Sequence, residues 1–257
     1  MACQGVRLMD RYMAFTASIP AEAQYVLEAM ESSQKITLGR RLVYKGRLFG
    51  KPIIVMITGV GKVNAAQAVT ALLENAEIEA IIVGGCGGAY ASSGLDIGDI
   101  AVATEEIYGD EGVFLQDGWQ SMEYIGIPLL EKQQKRYFNR FSLNGKLIKK
   151  IVDILKIGAI KSKVLSGPFI TVSQVSGSRE IGDILYQRFQ AICENMEGAA
   201  IAHVCTLYDI PLLEIRAISN MIEDRQLSHW NRTVAVQNSQ SAILEVVKHW
   251  REVICQF

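Results

Sequence analysis

The chain has 257 residues, 49% apolar and 21% charged, with a formal net charge of −1. That size suits one hydrophobic core, so a single domain over 1–257 is expected, and near-neutrality gives no whole-protein attraction to nucleic acid or an anionic membrane. Five cysteines without a C-x-x-C, and three histidines far apart, argue against a disulfide framework and a metal site.

The N-terminus, MACQGVRLMDRYMAFTASIP, is broken by Arg7, Asp10 and Arg11 before an apolar leader can form. No apolar run reaches the roughly 18 residues that cross a bilayer, so a cytoplasmic protein is expected. A first strand is predicted over 12–17 and a helix over 20–31. Pro20 suits the first helical position and puts Glu22 in the first turn, where a carboxylate favours the helix dipole; capping and catalysis are both open there. Strands over 41–48 and 53–58, split by Phe49-Gly50-Lys51-Pro52, read as a hairpin. A helix over 62–75 carries Val63, Ala66, Val69, Leu72 and Leu73 as its apolar stripe. Strands follow over 80–84 and 99–104, with an aromatic and acidic loop over 108–128. Then come a helix over 143–156, a strand over 163–170, helices over 178–189 and 197–208, a strand over 212–218 and a helix over 230–250. The alternation predicts an α/β domain, a central mixed sheet with helices on both faces.

Familiar motifs are absent. Thr58-Gly59-Val60-Gly61-Lys62 fails as a phosphate loop, because Met56 and Val63 stand where glycine and Ser/Thr are needed. Gly84-Gly85-Cys86-Gly87-Gly88 misses the dinucleotide fingerprint, with Tyr90 in place of the third glycine. No G-x-S-x-G or H-E-x-x-H occurs. The glycine run after the strand AIIV either makes a tight turn or lets a ligand ring lie against the backbone. From Lys132 to Lys163 ten Lys/Arg face one acid, Asp153; that stretch is either a solvated helical face or an anion-attracting rim.

The densest stretch is ENMEGAAIAHVCTLYDIPLLEIRAISN at 194–220. Glu197 opens a helix of small residues, again as a cap or as a ligand group, and Gly198, Ala199 and Ala200 leave space beside it. His203, Cys86 and Cys205 read as core residues. Glu22, the glycines 84–88, Glu197 and Ser219–Asn220 all follow apolar strands closely, and ligands of α/β sheets bind outside the carboxyl ends of strands. Four such features at one rim argue together for a site.

The blocks AFTASIPAEA, GVGKVNAAQAV, GGCGGAYASSGLDIGDIAVATE, GPFI, ENMEGAAIAHV and EIRAISN occur in the order found in the nucleoside phosphorylase/nucleosidase superfamily, and the chain resembles its hydrolase branch. Within that branch it is most similar to the futalosine hydrolases of the alternative menaquinone pathway, then to the methylthioadenosine/S-adenosylhomocysteine nucleosidases. The resemblance implies hydrolysis of the N-glycosidic bond of futalosine with release of hypoxanthine, no cofactor, and a homo-oligomer, a dimer first. It assigns Glu22 to activating water, Glu197, Met196 and Val60 to the ribose, and Phe169 to stacking on the purine. Gly85, Cys86 and Gly87 flank the base, supported by Arg216 and Ser219. Asn220 stands where the adenine-releasing nucleosidases have an aspartate that handles the proton on N7. A neutral amide suits the N7/O6 edge of a 6-oxopurine, with Asp224 or a water as the proton source. On that resemblance the basic stretch is either a rim that attracts the carboxylate of futalosine or still a solvated helical face. A phosphorylase of the same fold, and a nucleoside- or nucleic-acid-binding module without turnover, are the rival readings.

Overall fold

A computed structural model describes residues 11–158, 160–224, 226 and 229–254. Arg7 and Asp10, with the interrupted leader they define, lie outside the described residues. In chain order the first elements are β1 (Tyr12–Ala17), a 3-10 turn (Pro20–Glu22), α1 (Gln24–Glu28), β2 (Ser32–Leu38), β3 (Arg41–Leu48) and β4 (Lys51–Ile57). Next come α2 (Lys62–Asn75), β5 (Ile78–Ala89), a second 3-10 turn (Ala91–Ser93) and β6 (Ile100–Tyr108). The middle holds β7 (Gly112–Leu115), β8 (Gly118–Ser121), α3 (Met122–Ile125), β9 (Leu130–Lys132), β10 (Lys135–Tyr137), β11 (Arg140–Ser142) and α4 (Gly145–Ile157). The last third is β12 (Val164–Thr171), α5 (Arg179–Phe189), β13 (Cys193–Asn195), α6 (Gly198–Tyr208), β14 (Leu212–Met221), α7 (Arg232–Lys248) and α8 (Trp250–Ile254).

Ten strands form one sheet in the order β11-β6-β12-β13-β5-β1-β4-β3-β2, and β14 joins both β5 and β6. The sheet is mixed as expected: β1 runs parallel to β4 and β5, while β2, β3 and β4 are antiparallel neighbours. Because β14 bridges β5 to β6 and β13 bridges β5 to β12, five strands close on themselves as β5-β14-β6-β12-β13. Helices cover both faces. On one, α4 presents Leu147, Ile148, Ile151, Val152 and Leu155 to a core shared with α1 and α7. That spacing is one helical stripe, opened by the Asn144 side chain, which accepts from the Lys146 and Leu147 amides. On the other face α2 packs on α6 through Ala65, Ala68, Ala199 and Ala202, whose small side chains let the backbones approach.

The structure departs from the sequence reading at several places. The α2 stripe is rotated: Val63 is exposed, and Ala65, Ala68, Val69 and Leu72 are buried, because alanine suits the tight α6 contact better than valine does. The helix expected over 20–31 is only the 3-10 turn and α1. It stops early because 32–38 pairs with β3 as an edge strand, with a mostly exposed, polar sequence that carries no apolar period. The loop over 108–128 contains the β7–β8 hairpin and α3. Finally, β5 and β14 run past 84 and 218 to Ala89 and Met221, hydrogen-bonded to each other through the glycines. Among the described residues no helix is long and apolar enough to cross a membrane.

Candidate active site

Glu22 is 6% exposed, and three backbone amides hold its carboxylate. Ser18 and Ile19 donate to Oε2 at 3.2 and 3.3 Å. Cys86 of β5 donates to Oε1 at 2.8 Å. The first two are what a helix start supplies locally; the third comes from another strand and draws the carboxylate onto the end of β5. Gly85 makes room for it: its φ is +149°, and a Cβ there would stand 2.7 Å from Glu22 Oε1. The glycine run thus clears space for the protein's own side chains, with Gly87 facing Cys193 and Arg216 in the same way. The Cys86 thiol is no nucleophile, since burial, and then the charge of Glu22, push its pKa up to about 12.

Glu197 is the residue before the first turn of α6, but its side chain does not cap that helix. Asn195 does so, its Oδ1 accepting from the Glu197 and Gly198 amides at 2.9 and 2.7 Å. Thr171 Oγ1 accepts from the Ala199 amide at 2.7 Å. Relieved of capping, the Glu197 carboxylate accepts from the Gly61 amide at 2.9 Å, at the positive N-terminus of α2. Its other oxygen accepts from Arg216 Nη2 at 3.2 Å. Arg216, 2% exposed, also donates from Nη1 to the Cys86 carbonyl at 2.9 Å and from Nε to Glu214 Oε1 at 2.7 Å. Burial alone would lower its pKa, yet the charges of Glu214 and Glu197 hold it above the ordinary arginine value, so it stays a cation.

Asn220 lies on β14 opposite Gly88 of β5. Its Oδ1 accepts from Ser219 Oγ at 2.8 Å, and its Nδ2 donates to the Met221 carbonyl at 3.2 Å. One Nδ2 hydrogen is left to donate elsewhere. Val60, 48% exposed, precedes Gly61, whose amide bonds Glu197, and half-buried Met196 precedes Glu197 in the chain. Asp224 is exposed, its carboxylate accepting from the Arg179 amide at the start of α5.

Two sequence expectations are not met. Phe169 has no exposed surface and packs with Ala101, Ala103, Cys193 and Ile218, between the strands of the closed ring. Strand alternation turns it inward, so its ring offers no open face for a base to stack on. Lys132, at the head of the basic stretch, is not at the site either. Lys132 donates to the carbonyls of Thr206 and Leu207 and pairs with Asp209, all at the C-terminal end of α6. Glu197 is at the other end, about 15 Å away along the helix. Arg136 pairs with Glu131, and Arg140 with Glu105. His203 is structural, stacked on Phe141 with ring centroids 4.7 Å apart, and burial lowers its pKa.

Sequence reading missed Glu106, Asn195 and Glu214, which lie directly beneath Glu197. The available signal was a glutamate inside the apolar run LLEIRAI, since a carboxylate in a buried strand requires partners. Among the described residues no group of side chains is arranged to hold a metal ion.

A sequence profile described as the phosphorylase superfamily matches residues 12–248. Among solved structures the chain is similar to the 5′-methylthioadenosine/S-adenosylhomocysteine nucleosidase of Neisseria meningitidis in complex with methylthio-immucillin-A. The TM-score is 0.80 at 25% identity, over 93% of this chain and 99% of that one. The corresponding nucleosidase of Streptococcus pneumoniae, with 8-aminoadenine, matches at TM-score 0.78 and 21% identity, over 92% and 99% of the two chains. That of Colwellia psychrerythraea, with adenine, matches at 0.79 and 21%, over 93% and 95%.

Proposed function

We infer that this chain, which belongs to the phosphorylase superfamily, hydrolyses the N-glycosidic bond of purine nucleosides. The observation that carries hydrolysis over phosphorolysis is the seat of Glu22. The three amides of Ser18, Ile19 and Cys86 that could have cradled an anion hold a carboxylate instead. A phosphate brought there would meet a negative charge; a water would meet a base. Of the carboxylate's four lone-pair directions, three are filled, two on Oε2 and one on Oε1. The remaining one, on Oε1, is the acceptor for a proton of the attacking water.

Breaking the C–N bond builds positive charge on the sugar and negative charge on the purine. Glu197 uses one lone pair on each oxygen for Gly61 and Arg216, leaving one on each for a pair of ribose hydroxyls. Those hydroxyls become better donors as the oxocarbenium ion forms, so the interaction strengthens in the transition state. General-base assistance by Glu22 is worth typically 10²–10⁴-fold, about 3–5 kcal/mol.

The base is read at Asn220. Asn220 keeps one Oδ1 lone pair beside the Ser219 bond, so it could pair with the N6/N7 edge of adenine, and it also keeps a neutral, non-acidic N–H. That donor suits the two acceptors, N7 and O6, of a 6-oxopurine, and it stabilises a departing hypoxanthine without transferring a proton. Release of hypoxanthine from futalosine, within menaquinone biosynthesis, is therefore the favoured substrate assignment. A second reading, adenine release from methylthioadenosine or S-adenosylhomocysteine, is favoured by the structural neighbours, which are nucleosidases of that kind. Chromatography of the base released from futalosine, inosine and methylthioadenosine, with and without phosphate, separates these readings. Hypoxanthine from futalosine without phosphate, lost at least 10²-fold in Glu22→Gln, is expected. Adenine as the main product would replace the substrate assignment, and an active Glu22→Gln would remove Glu22 from the chemistry.

A further inference from the structure

Beneath Glu197 lies a polar network that the hydrolytic step does not use directly. Glu106 of β6 and Glu214 of β14 are both 0% exposed. Glu106 accepts from Asn195 Nδ2 at 2.8 Å on Oε1 and from Thr171 Oγ1 at 2.7 Å on Oε2. Glu214 accepts from Arg216 Nε on Oε1, while no amide, hydroxyl or guanidinium among the described residues donates to its Oε2. What faces that oxygen is Glu106. A Cβ on Gly198 would collide with Glu106 Oε1 and Glu214 Oε2 together, so both oxygens crowd the same point under the first residue of α6.

Two buried carboxylates cannot face each other while both are ionised. A hydrogen bond between them requires one proton, and that proton also supplies the donor that Glu214 Oε2 lacks. We propose that Glu106 and Glu214 form one buried acid pair carrying a single negative charge, and that this charge, acting through Arg216, sets the strength with which Glu197 holds the sugar hydroxyls. Glu106 and Glu214 are positioning residues in this scheme. Arg216 divides its attraction between Glu214 on Nε and Glu197 on Nη2. With the pair's charge in place, Glu197 keeps its acceptor strength for substrate. Without it, the whole guanidinium charge falls on Glu197 and competes with the hydroxyls. The same pair holds the start of α6, since Asn195 bonds Glu106 with its amide nitrogen and the Glu197 and Gly198 amides with its oxygen.

The inference rests on Glu197 as the sugar-binding group, and its signature is non-additivity. In Glu106→Gln the charge stays on Glu214. In Glu214→Gln it passes to Glu106, where it still lies near Arg216. Only the double Gln variant has nowhere to put it. The readout is the preference, in kcat/KM, for inosine over 2′-deoxyinosine, which reports the hydroxyl contacts and not general folding. Each single variant should keep that preference within about threefold of wild type, and the double variant should lose it by roughly tenfold or more, a coupling within the range found for contacting pairs. Loss in either single variant equal to that in the double, or a double effect that is the product of the two singles, overturns the proposal. Thermal unfolding of the same four proteins reads the pair without substrate: the double variant should lose more Tm than the two singles together. If wild type releases no base from any nucleoside while this unfolding coupling is present, the fault lies in the functional reading and not in the shared charge.

Discussion

Glu22 and Glu197 are joined through Cys86 and Arg216: the Cys86 amide donates to Glu22, and the Cys86 carbonyl accepts from Arg216, which in turn holds Glu197. One residue of β5, through the two peptide groups that flank it, thereby registers a candidate base against a candidate sugar-binding carboxylate. Preorganisation of this kind matters because a displacement of about 1 Å can cost 10²-fold in rate.

Gly85 is where that arrangement can be disturbed with least change in chemistry. Gly85→Ala adds one methyl at φ +149°, 2.7 Å from Glu22 Oε1. The expected result is a folded protein with Tm lowered by a few degrees, reflecting about 1–3 kcal/mol of strain. Base release should fall at least roughly tenfold, with KM changed less than kcat. Wild-type turnover in a well-folded Gly85→Ala would mean that the Glu22 seat tolerates movement.

Asn220→Asp supplies an acid where the present side chain is a neutral amide. The ratio of adenosine to inosine hydrolysis, in kcat/KM, should rise by about tenfold or more, or about 1.4 kcal/mol of differential transition-state binding. Steady-state kinetics on both nucleosides measures it. An unchanged ratio would show that the base is read elsewhere.

Charge reversal at Lys132, Lys135 and Arg136 is expected to leave the kcat/KM ratio of futalosine to inosine unchanged. Lys132 serves the carbonyl end of α6, with a 2.8 Å bond to each of Thr206 and Leu207. Its loss should instead appear in denaturant unfolding as about 1 kcal/mol. A selective rise in KM for the carboxylated substrate would restore the clamp that the sequence suggested.

The buried acid pair makes stability depend on pH with a definite sign. Burial, then the charge of Glu214, raise the folded-state pKa of Glu106 well above the ordinary carboxylate value. The folded chain therefore binds this proton more tightly than the unfolded chain. Its contribution is fully present below the ordinary glutamate pKa and is lost as pH rises from there through the raised folded value. Across that window this group alone makes stability fall by about 1.4 kcal/mol per pH unit. Glu106→Gln should flatten that part of the urea-unfolding profile; an unchanged slope would place the proton elsewhere.

The elements that periodicity defines were legible from the letters. The α4 helix, the β3–β4 hairpin and the α/β alternation are local patterns, set by residues within one or two turns of each other. The three-residue strands β11 and β13 were not, because so short a segment becomes a strand only through its partner. At the site, the sequence identified Glu22, Glu197 and Asn220 as polar groups at strand ends, with capping as the competing explanation for the two acids. The family resemblance set Phe169 against a base, and the sequence left the basic stretch open between a solvated face and a rim for the substrate. Tertiary structure decided these matters. Asn195 and Thr171 take over the cap of α6 and free Glu197, the ring closure encloses Phe169, and the length of α6 separates Lys132 from the site. Helix and strand periods reflect neighbours along the chain, whereas the duty of a buried carboxylate is set by whichever donors distant strands bring within about 3 Å of it.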